Sequence, residues 1–162
     1  MQLLYIESHP YVVFLPEGRK ERTLSAIFGS KASIDILRFC LKQGISNKIY
    51  QKELLEKLSY SNKTIIENLK VLSRLGVLLE DMEKIEREGR IIWVKAYQLT
   101  DLGKWFALLL AEEKELPESE KRDILQNIFR IYIRWVRNLS EKLNMNRESF
   151  KKIFEEEMKV EN

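Results

Sequence analysis

The stretch SNKTIIENLKVLSRLG, residues 61–76, decides the fold of this chain. Its apolar residues recur at steps of three and four from Ile65 to Leu75, which places them along one side of a 3.6-residue helix. Ser61 stands where an N-cap side chain accepts a backbone N–H, and Gly76 stands where a helix ends in the left-handed conformation. The pattern predicts an amphipathic helix whose N-terminal end carries short polar and basic side chains.

The residues on either side extend this helix into a larger motif. Residues 51–58 predict a shorter helix, and the SYS sequence that follows predicts the turn between the two helices. Residues 77–85 and 90–99 predict two strands, the second of them rich in β-branched and aromatic residues, and Gly89 lies in the tight turn between them. This order predicts a helix-turn-helix followed by a β-wing.

Composition limits the classes of function. The chain has 162 residues, of which 44% are hydrophobic, so it can bury a core, and its net charge is only +3. Any attraction to nucleic acid must therefore come from the distribution of charge. One cysteine and one histidine exclude an internal disulfide and a cysteine-rich zinc site, and leave few candidates for nucleophilic catalysis. Because no glycine-rich phosphate loop is present either, we expect no enzyme activity, no metal and no cofactor.

The predicted fold is mainly α with a small antiparallel β-wing: a winged helix-turn-helix followed by C-terminal dimerisation helices. We assign residues 1–18 to an N-terminal strand pair, 19–113 to the winged helix-turn-helix domain and 114–162 to a C-terminal helical extension. No apolar run approaches the ~20 residues that a membrane span needs. We therefore expect no contact with a membrane and a cytoplasmic location.

The long helix predicted at 118–143 has an unusually wide apolar face, which needs a covering surface. One hypothesis is a homodimer built on this helix and the helix at 101–113, because a two-fold partner would cover that face. The alternative is that the helix folds back on the core of its own chain. The residues predicted at the dimer interface are Trp105, Leu109, Ile124, Ile128, Ile131, Trp135 and Leu139.

Candidate DNA contacts come from the helix at about 61–75 and from the tip of the wing. Residues 80–90 hold five carboxylates and three cations, a net charge of −2, whereas the helix has three cations and one carboxylate, a net charge of +2. We therefore expect the helix to make most of the contacts. The predicted DNA-binding residues are Ser61, Asn62, Lys63, Thr64, Glu67, Asn68 and Lys70 on the helix, with Arg87 and Arg90 on the wing.

The run TIIENLKVLSRLGVLLE, residues 64–80, resembles the recognition-helix region of the arsenic-responsive repressor (ArsR-type) winged helices and their archaeal relatives. YQLTDLGK, residues 97–104, is similar to the end of the wing in such regulators. The metal-sensing members carry a paired-cysteine motif that this chain lacks, so the resemblance does not imply metal sensing. Residues that match the pattern are Thr64, Ile65, Leu69, Lys70, Leu72, Gly76, Val77 and Leu78, while Asn68 replaces a usual histidine.

The resemblance implies a dimeric transcriptional regulator that binds double-stranded DNA. Two copies related by two-fold symmetry would read half-sites about one helical turn, ~34 Å, apart. The alternative function is a winged helix used for protein–protein contact in an assembly, which the near-neutral charge and the acidic wing favour. A binder of RNA or single strands is a third possibility, but the sequence lacks an evident row of exposed aromatic residues. Whether a small-molecule effector is sensed is unknown from the sequence.

Overall fold

The computed structural model describes residues 29–112 and 114–159. These residues are mainly helical and include a small three-stranded antiparallel sheet, as the sequence predicts. The strand pair predicted for residues 1–18 lies outside the described residues. The helices are α1 (Lys31–Gln43), α2 (Gln51–Lys57), α3 (Asn62–Arg74), α4 (Asp101–Leu110), α5 (Glu118–Lys142) and α6 (Arg147–Glu157), and the strands are β1 (Ile49–Tyr50), β2 (Leu78–Arg87) and β3 (Arg90–Leu99).

The chain divides into two compact units, one ending at Ile128 and the other beginning at Phe129. The first unit holds α1 to α4, the sheet and the first part of α5. The second holds the rest of α5 and α6. The division therefore falls inside a helix. The physical reason is burial, because the buried apolar residues of α5 are Ile124 and Ile128, and none follows them in the described chain.

Helix α3 begins and ends as its sequence predicts. The Ser61 hydroxyl accepts the backbone N–H of Thr64 at 3.1 Å, which satisfies one of the free donors at the N-terminus. Gly76 has a φ of +75°, and the N–H of Val77 then donates to the carbonyl of Leu72 at 2.9 Å. The apolar stripe of α3 is fully buried, so this side of the helix faces the core. The opposite side is left to solvent.

The sheet has the order β1-β3-β2, and β2 and β3 form a ten-residue hairpin. The pairing runs without interruption from Leu78 opposite Leu99 to Arg87 opposite Arg90. The turn contains Glu88 and Gly89, with φ angles of +52° and +72°, and two positive φ angles match the right-handed twist of the strands. The predicted hairpin is confirmed, and β2 runs two residues beyond its predicted end.

The end of the hairpin joins α4 to the end of α3. The Thr100 hydroxyl accepts the N–H of Gly103 at 3.0 Å as the N-cap of α4, and it donates to the carbonyl of Gly76. The N–H of Thr100 donates to the carbonyl of Val77 at 3.1 Å. Gly103 itself is buried against that carbonyl. The YQLTDLG sequence thus fixes where α3, the hairpin and α4 meet.

The core contains the lone cysteine. Cys40 is buried on α1, and burial raises the pKa of its thiol to about 12. A thiol that stays protonated at neutral pH is a poor nucleophile, so Cys40 is a residue of the core. In the described part of the chain, no helix has the length and apolar character that crossing a membrane requires.

Candidate nucleic-acid interface

The solvent face of α3 is a row of charged side chains. Lys63, Glu67, Lys70 and Arg74 follow one another at steps of four, three and four, so they lie on one side of the helix, opposite the buried stripe. All four are exposed. We call these four residues the α3 charged row; its three cations and one carboxylate give a net charge of +2.

The one acidic residue of the α3 charged row is only loosely engaged. The Lys63 Nζ lies 3.9 Å from Glu67 Oε1, and the two side chains are 84% and 62% exposed. Ion pairs this exposed are weak because water and salt screen them. Lys63 can therefore leave Glu67 for another anion at little cost. Glu67 would contact such an anion unfavourably, so we do not expect it to bind a phosphate.

The first turn of α3 holds the other predicted helix contacts. The Ser61 and Thr64 hydroxyl oxygens lie 2.8 Å apart, and Ser61 also caps the helix, so both hydroxyls are already used within the protein. Asn62 is exposed at the first helical position. Its side chain is the polar group at this end that is best placed to meet a base edge.

The side chain of Asn68 is hydrogen-bonded to other parts of the protein. Its Oδ1 accepts the hydroxyls of Ser30 at 2.9 Å and Ser33 at 2.8 Å, and its Nδ2 donates to the carbonyl of Thr64 at 2.8 Å. Ser30 is the N-cap of α1, so Asn68 joins α3 to the start of α1. A side chain with these partners positions α3 against α1, whereas the sequence predicts Asn68 as a DNA contact.

The acidic residues at the base of the β2–β3 hairpin are neutralised by lysines from neighbouring strands. The Lys48 Nζ donates to Asp81 Oδ2 at 3.2 Å and also to Glu83. Lys95 pairs with Glu80 at 3.2 Å. The net charge of −2 over residues 80–90 therefore becomes zero when these two lysines are included. The electrostatic objection to DNA contact is weaker than the sequence indicates.

The tip of the hairpin is basic. Arg87 and Arg90 face each other across the last pair of the ladder, and both side chains are exposed. Residues 84–90 hold three cations and two carboxylates, a net charge of +1. A guanidinium group binds phosphate oxygens well, because it is positively charged and can donate two parallel hydrogen bonds. The two predicted hairpin contacts are thus close together and accessible.

One side of the hairpin also exposes apolar side chains. Met82, Ile91 and Trp93 alternate on the same face, as their register in the ladder requires, and each is exposed. The Lys84 Nζ lies 5.1 Å from the centre of the Trp93 ring, which is within the range of a cation–π contact. An apolar patch of this kind is typical of a surface that contacts a partner.

Three basic residues near the α3 charged row are absent from the residues predicted from sequence. Arg74 completes the row, and the helical period alone would have identified it. Lys31 and Lys57 border a cleft of about 360 Å³ beside the α2–α3 turn, which also includes Tyr60. The Tyr60 hydroxyl donates to Asp35 at 2.6 Å and fixes that turn to α1. Lys31 and Lys57 come from separate elements, so only the fold brings them together.

Three residues predicted to contact a second copy are buried in a single chain. Trp105, Ile124 and Ile128 are 6%, 3% and 1% exposed, so they have almost no surface left for a partner. In this part of α5, the structure corresponds to the alternative in which the helix covers the core of its own chain. The remaining four predicted dimer residues, Leu109, Ile131, Trp135 and Leu139, are half-buried.

The base of the hairpin gives a pH-dependent prediction. Hydrogen bonds from Lys48 and then from Tyr50 hold the pKa of Glu83 below its usual 4.5. A lowered pKa means that this carboxylate stabilises the fold above its unfolded pKa and that the contribution is lost as the pH falls through the folded pKa. We expect Glu83→Gln to lower the unfolding temperature near neutral pH and to lower it progressively less at acidic pH, below 4.5. Thermal unfolding followed by circular dichroism across this range measures the difference.

The matched control for this prediction is Glu86→Gln, a neighbouring carboxylate on β2 that is exposed. It makes no ion pair with any described residue within 4.0 Å, so its removal should change the unfolding temperature little at either pH. Equal effects of the two substitutions would show that the bonds of Glu83 do not stabilise the hairpin.

No cluster of metal-binding side chains is found among residues 29–112 and 114–159. A scan against known protein families found no match, and neither a curated protein nor a solved structure matches this chain. The resemblance to ArsR-type regulators therefore stays a prediction from the residues alone.

Proposed function

We propose that this protein is a sequence-dependent regulator of transcription that binds double-stranded DNA as a homodimer. The first unit would act as a winged helix-turn-helix, with α3 as the recognition helix and the β2–β3 hairpin as the wing. The α3 charged row is the observation that carries this proposal. It combines an exposed basic face with a fully buried opposite face on the second helix of a helix–turn–helix segment.

The dimensions of α3 suit a major groove. An α-helix with its side chains is about 10–12 Å across, and the groove is about 12 Å wide. The side chains of Lys63, Lys70 and Arg74 extend along about three helical turns, so they can reach phosphates along the groove. Asn62 would present its amide to a base edge, because an asparagine can pair with adenine in two hydrogen bonds.

The β2–β3 hairpin is consistent with the same mode of DNA binding. Arg87 and Arg90 would meet the backbone or the minor groove beside the recognition helix, and the acidic residues below them are already paired with lysines. Lys31 and Lys57, which border the cleft beside the α2–α3 turn, would add contacts to phosphate. Phosphate contacts fix the register of a protein on the duplex and do not themselves read sequence.

A second candidate function is a module for protein assembly. The exposed apolar face of the hairpin, formed by Met82, Ile91 and Trp93, favours this alternative. In that case the hairpin would bind another protein through its apolar face, and the α3 charged row would be an ordinary solvated surface.

Titration of fluorescein-labelled duplexes, followed by anisotropy over a salt series, tests the proposed function. If each protomer neutralises three to five phosphates, the homodimer neutralises about six to ten, and the plot of log affinity against log salt should have a slope of about −5 to −9. Duplexes of genomic sequence should differ in affinity, and single strands should bind less tightly. Failure to bind any duplex at low salt would contradict the proposal and favour the assembly module.

A further inference from the structure

The second unit has no buried apolar core of its own. Among its described residues, 129–159, every large apolar side chain is exposed or half-buried. Six of them are between 45% and 66% exposed, which is unusual for side chains of this size on two adjoining helices. These residues, which we call the α5–α6 apolar set, are Ile133, Leu143, Met145, Ile153, Phe154 and Met158.

Contacts within the unit hold the two helices as a hairpin but leave this set uncovered. The rings of Phe129 and Phe154 stack with their centres 5.6 Å apart, and Arg147 pairs with Glu141 across the connection. Asn146 caps α6 by accepting the N–H of Glu148 at 3.0 Å. One ring contact and one exposed ion pair stabilise a helix of eleven residues only weakly. A further surface must cover the apolar set if α6 is to stay folded.

The charges of this unit are separated along the chain. The part of α5 from 129 to 142 holds four cations and one carboxylate, a net charge of +3. Arg130, Arg134 and Arg137 form a row on it at steps of four and three, and all three are exposed. Within the described chain, none of these arginines pairs with a carboxylate closer than 4.0 Å.

The acidic residues are concentrated at the other end of the unit. Residues 155–157 are three consecutive glutamates in the last turn of α6, where no basic residue is present. Carboxylates at the C-terminus of a helix face the negative end of its dipole, which is unfavourable. A row of cations brought against this turn would relieve that repulsion.

We propose that a second copy of this chain covers the α5–α6 apolar set, with the arginine row of each protomer against residues 155–157 of the other. This inference deepens the proposed function, since it rests on the same homodimer and names the surface that forms it. A two-fold interface places the same patch on both sides, so it must be complementary to itself. The second unit carries exposed apolar side chains and charges of both signs, which such a complementary patch needs.

Other occupants fit these features less well. Duplex DNA would attract the arginine row, but it would be repelled by the three glutamates and would leave the apolar set in water. An unrelated acidic protein would match the arginines alone. A second copy would cover the apolar set and would pair with both the arginines and the glutamates.

Analytical ultracentrifugation over a concentration series tests the inference on the full chain. The natural protein should sediment as a particle of twice the 19.3 kDa protomer mass. Placing a charge in the apolar set with Ile133→Glu or Ile153→Glu should raise the dimer dissociation constant by ~100-fold or more, since central apolar residues dominate interface energies. Ile91→Glu, an equally apolar and exposed site on the hairpin, is the matched control and should leave the dimer intact.

Charge exchange then identifies the partner as another copy. One variant carries glutamate in place of the three arginines, and a second carries lysine in place of the three glutamates. Each alone should dimerise more weakly than the natural chain, and a mixture should form heterodimers in preference to either homodimer. Equal dimerisation of all three proteins, or no preference in the mixture, would overturn the arrangement.

The oligomeric result is separable from the proposed function. A natural chain that stays monomeric at every concentration would overturn this inference, even if it binds duplex DNA with a clear salt slope. A dimer that behaves as described but binds no DNA would leave the inference standing and defeat the regulator. Circular dichroism of each variant checks that α5 and α6 still form.

Discussion

Replacing Gly103 with alanine should lower the free energy of unfolding by about 3 kcal/mol, at the upper end of overpacking effects. A Cβ at this position would lie 2.0 Å from the carbonyl oxygen of Val77 and 3.0 Å from a methyl group of Leu99. The backbone oxygen cannot move without breaking the bond that it accepts from Thr100. Helix α4 would have to shift away from the junction, and urea unfolding followed by circular dichroism measures the loss.

Lys104→Ala, one position further along α4, is the control for this substitution, because it removes a half-exposed side chain without adding atoms. We expect it to change the free energy of unfolding by less than about 0.5 kcal/mol. If Gly103→Ala is as stable as Lys104→Ala, the junction between α3, the hairpin and α4 is not packed as described.

The second large effect concerns binding. Replacing Lys63, Lys70 and Arg74 together with alanine should remove about three phosphate contacts from each protomer, or about six from the homodimer, which makes the salt slope less negative by about 5.4. Affinity for duplex DNA near 0.15 M salt should then fall by ~100-fold or more, since each charged contact contributes on the order of 1 kcal/mol. The three side chains are exposed, so the free energy of unfolding should change little.

The matched control removes the same number of positive charges from other parts of the first unit. Lys42→Ala, Lys104→Ala and Lys114→Ala lower the net charge equally but lie outside α3 and the hairpin. This second triple variant should keep most of the affinity for duplex DNA and most of the salt slope. Equal losses in both proteins would mean that net charge, and not the α3 charged row, accounts for binding.

The features of α3 that could be predicted from sequence are local ones. Its cap at Ser61, its ending at Gly76 and its buried stripe depend on residues within one or two helical turns, so the order of residue types is sufficient. The hairpin was also predictable, because strand alternation and Gly89 lie within the same short segment. Arg74 lies on the same helical period, so the sequence was sufficient to identify it, although it is absent from the predicted contacts.

The role of Asn68 was not predictable in this way. Its partners Ser30 and Ser33 precede it by 38 and 35 residues, so only packing of α1 against α3 brings the three side chains together. The charge of the hairpin is a similar case. Lys48 immediately precedes β1 and lies 33 and 35 positions before the carboxylates that it binds, outside any window that counts charge along the chain.

The wide apolar face of α5 shows a third limit of prediction from sequence. The helical period places Ile124 and Ile128 on one side of a long helix and Ile133 on the other, but it does not show which of these side chains the chain itself covers. The first two are buried, whereas Ile133 is 49% exposed. The sequence therefore predicts an interface on this helix, but in the structure the exposed apolar surface lies nearer to α6 along the chain.

The most direct measurement of the central claim is photocrosslinking from a single site on α3. Cys40 is buried and its pKa is raised to about 12, so a new cysteine introduced by Lys63→Cys can be labelled selectively with an azide reagent. Illumination should crosslink this position to duplex DNA, and Lys104→Cys labelled in the same way should crosslink little. Equal crosslinking from both positions, or none from the α3 position while the duplex is bound, would contradict the assignment of α3 as the DNA-contacting helix.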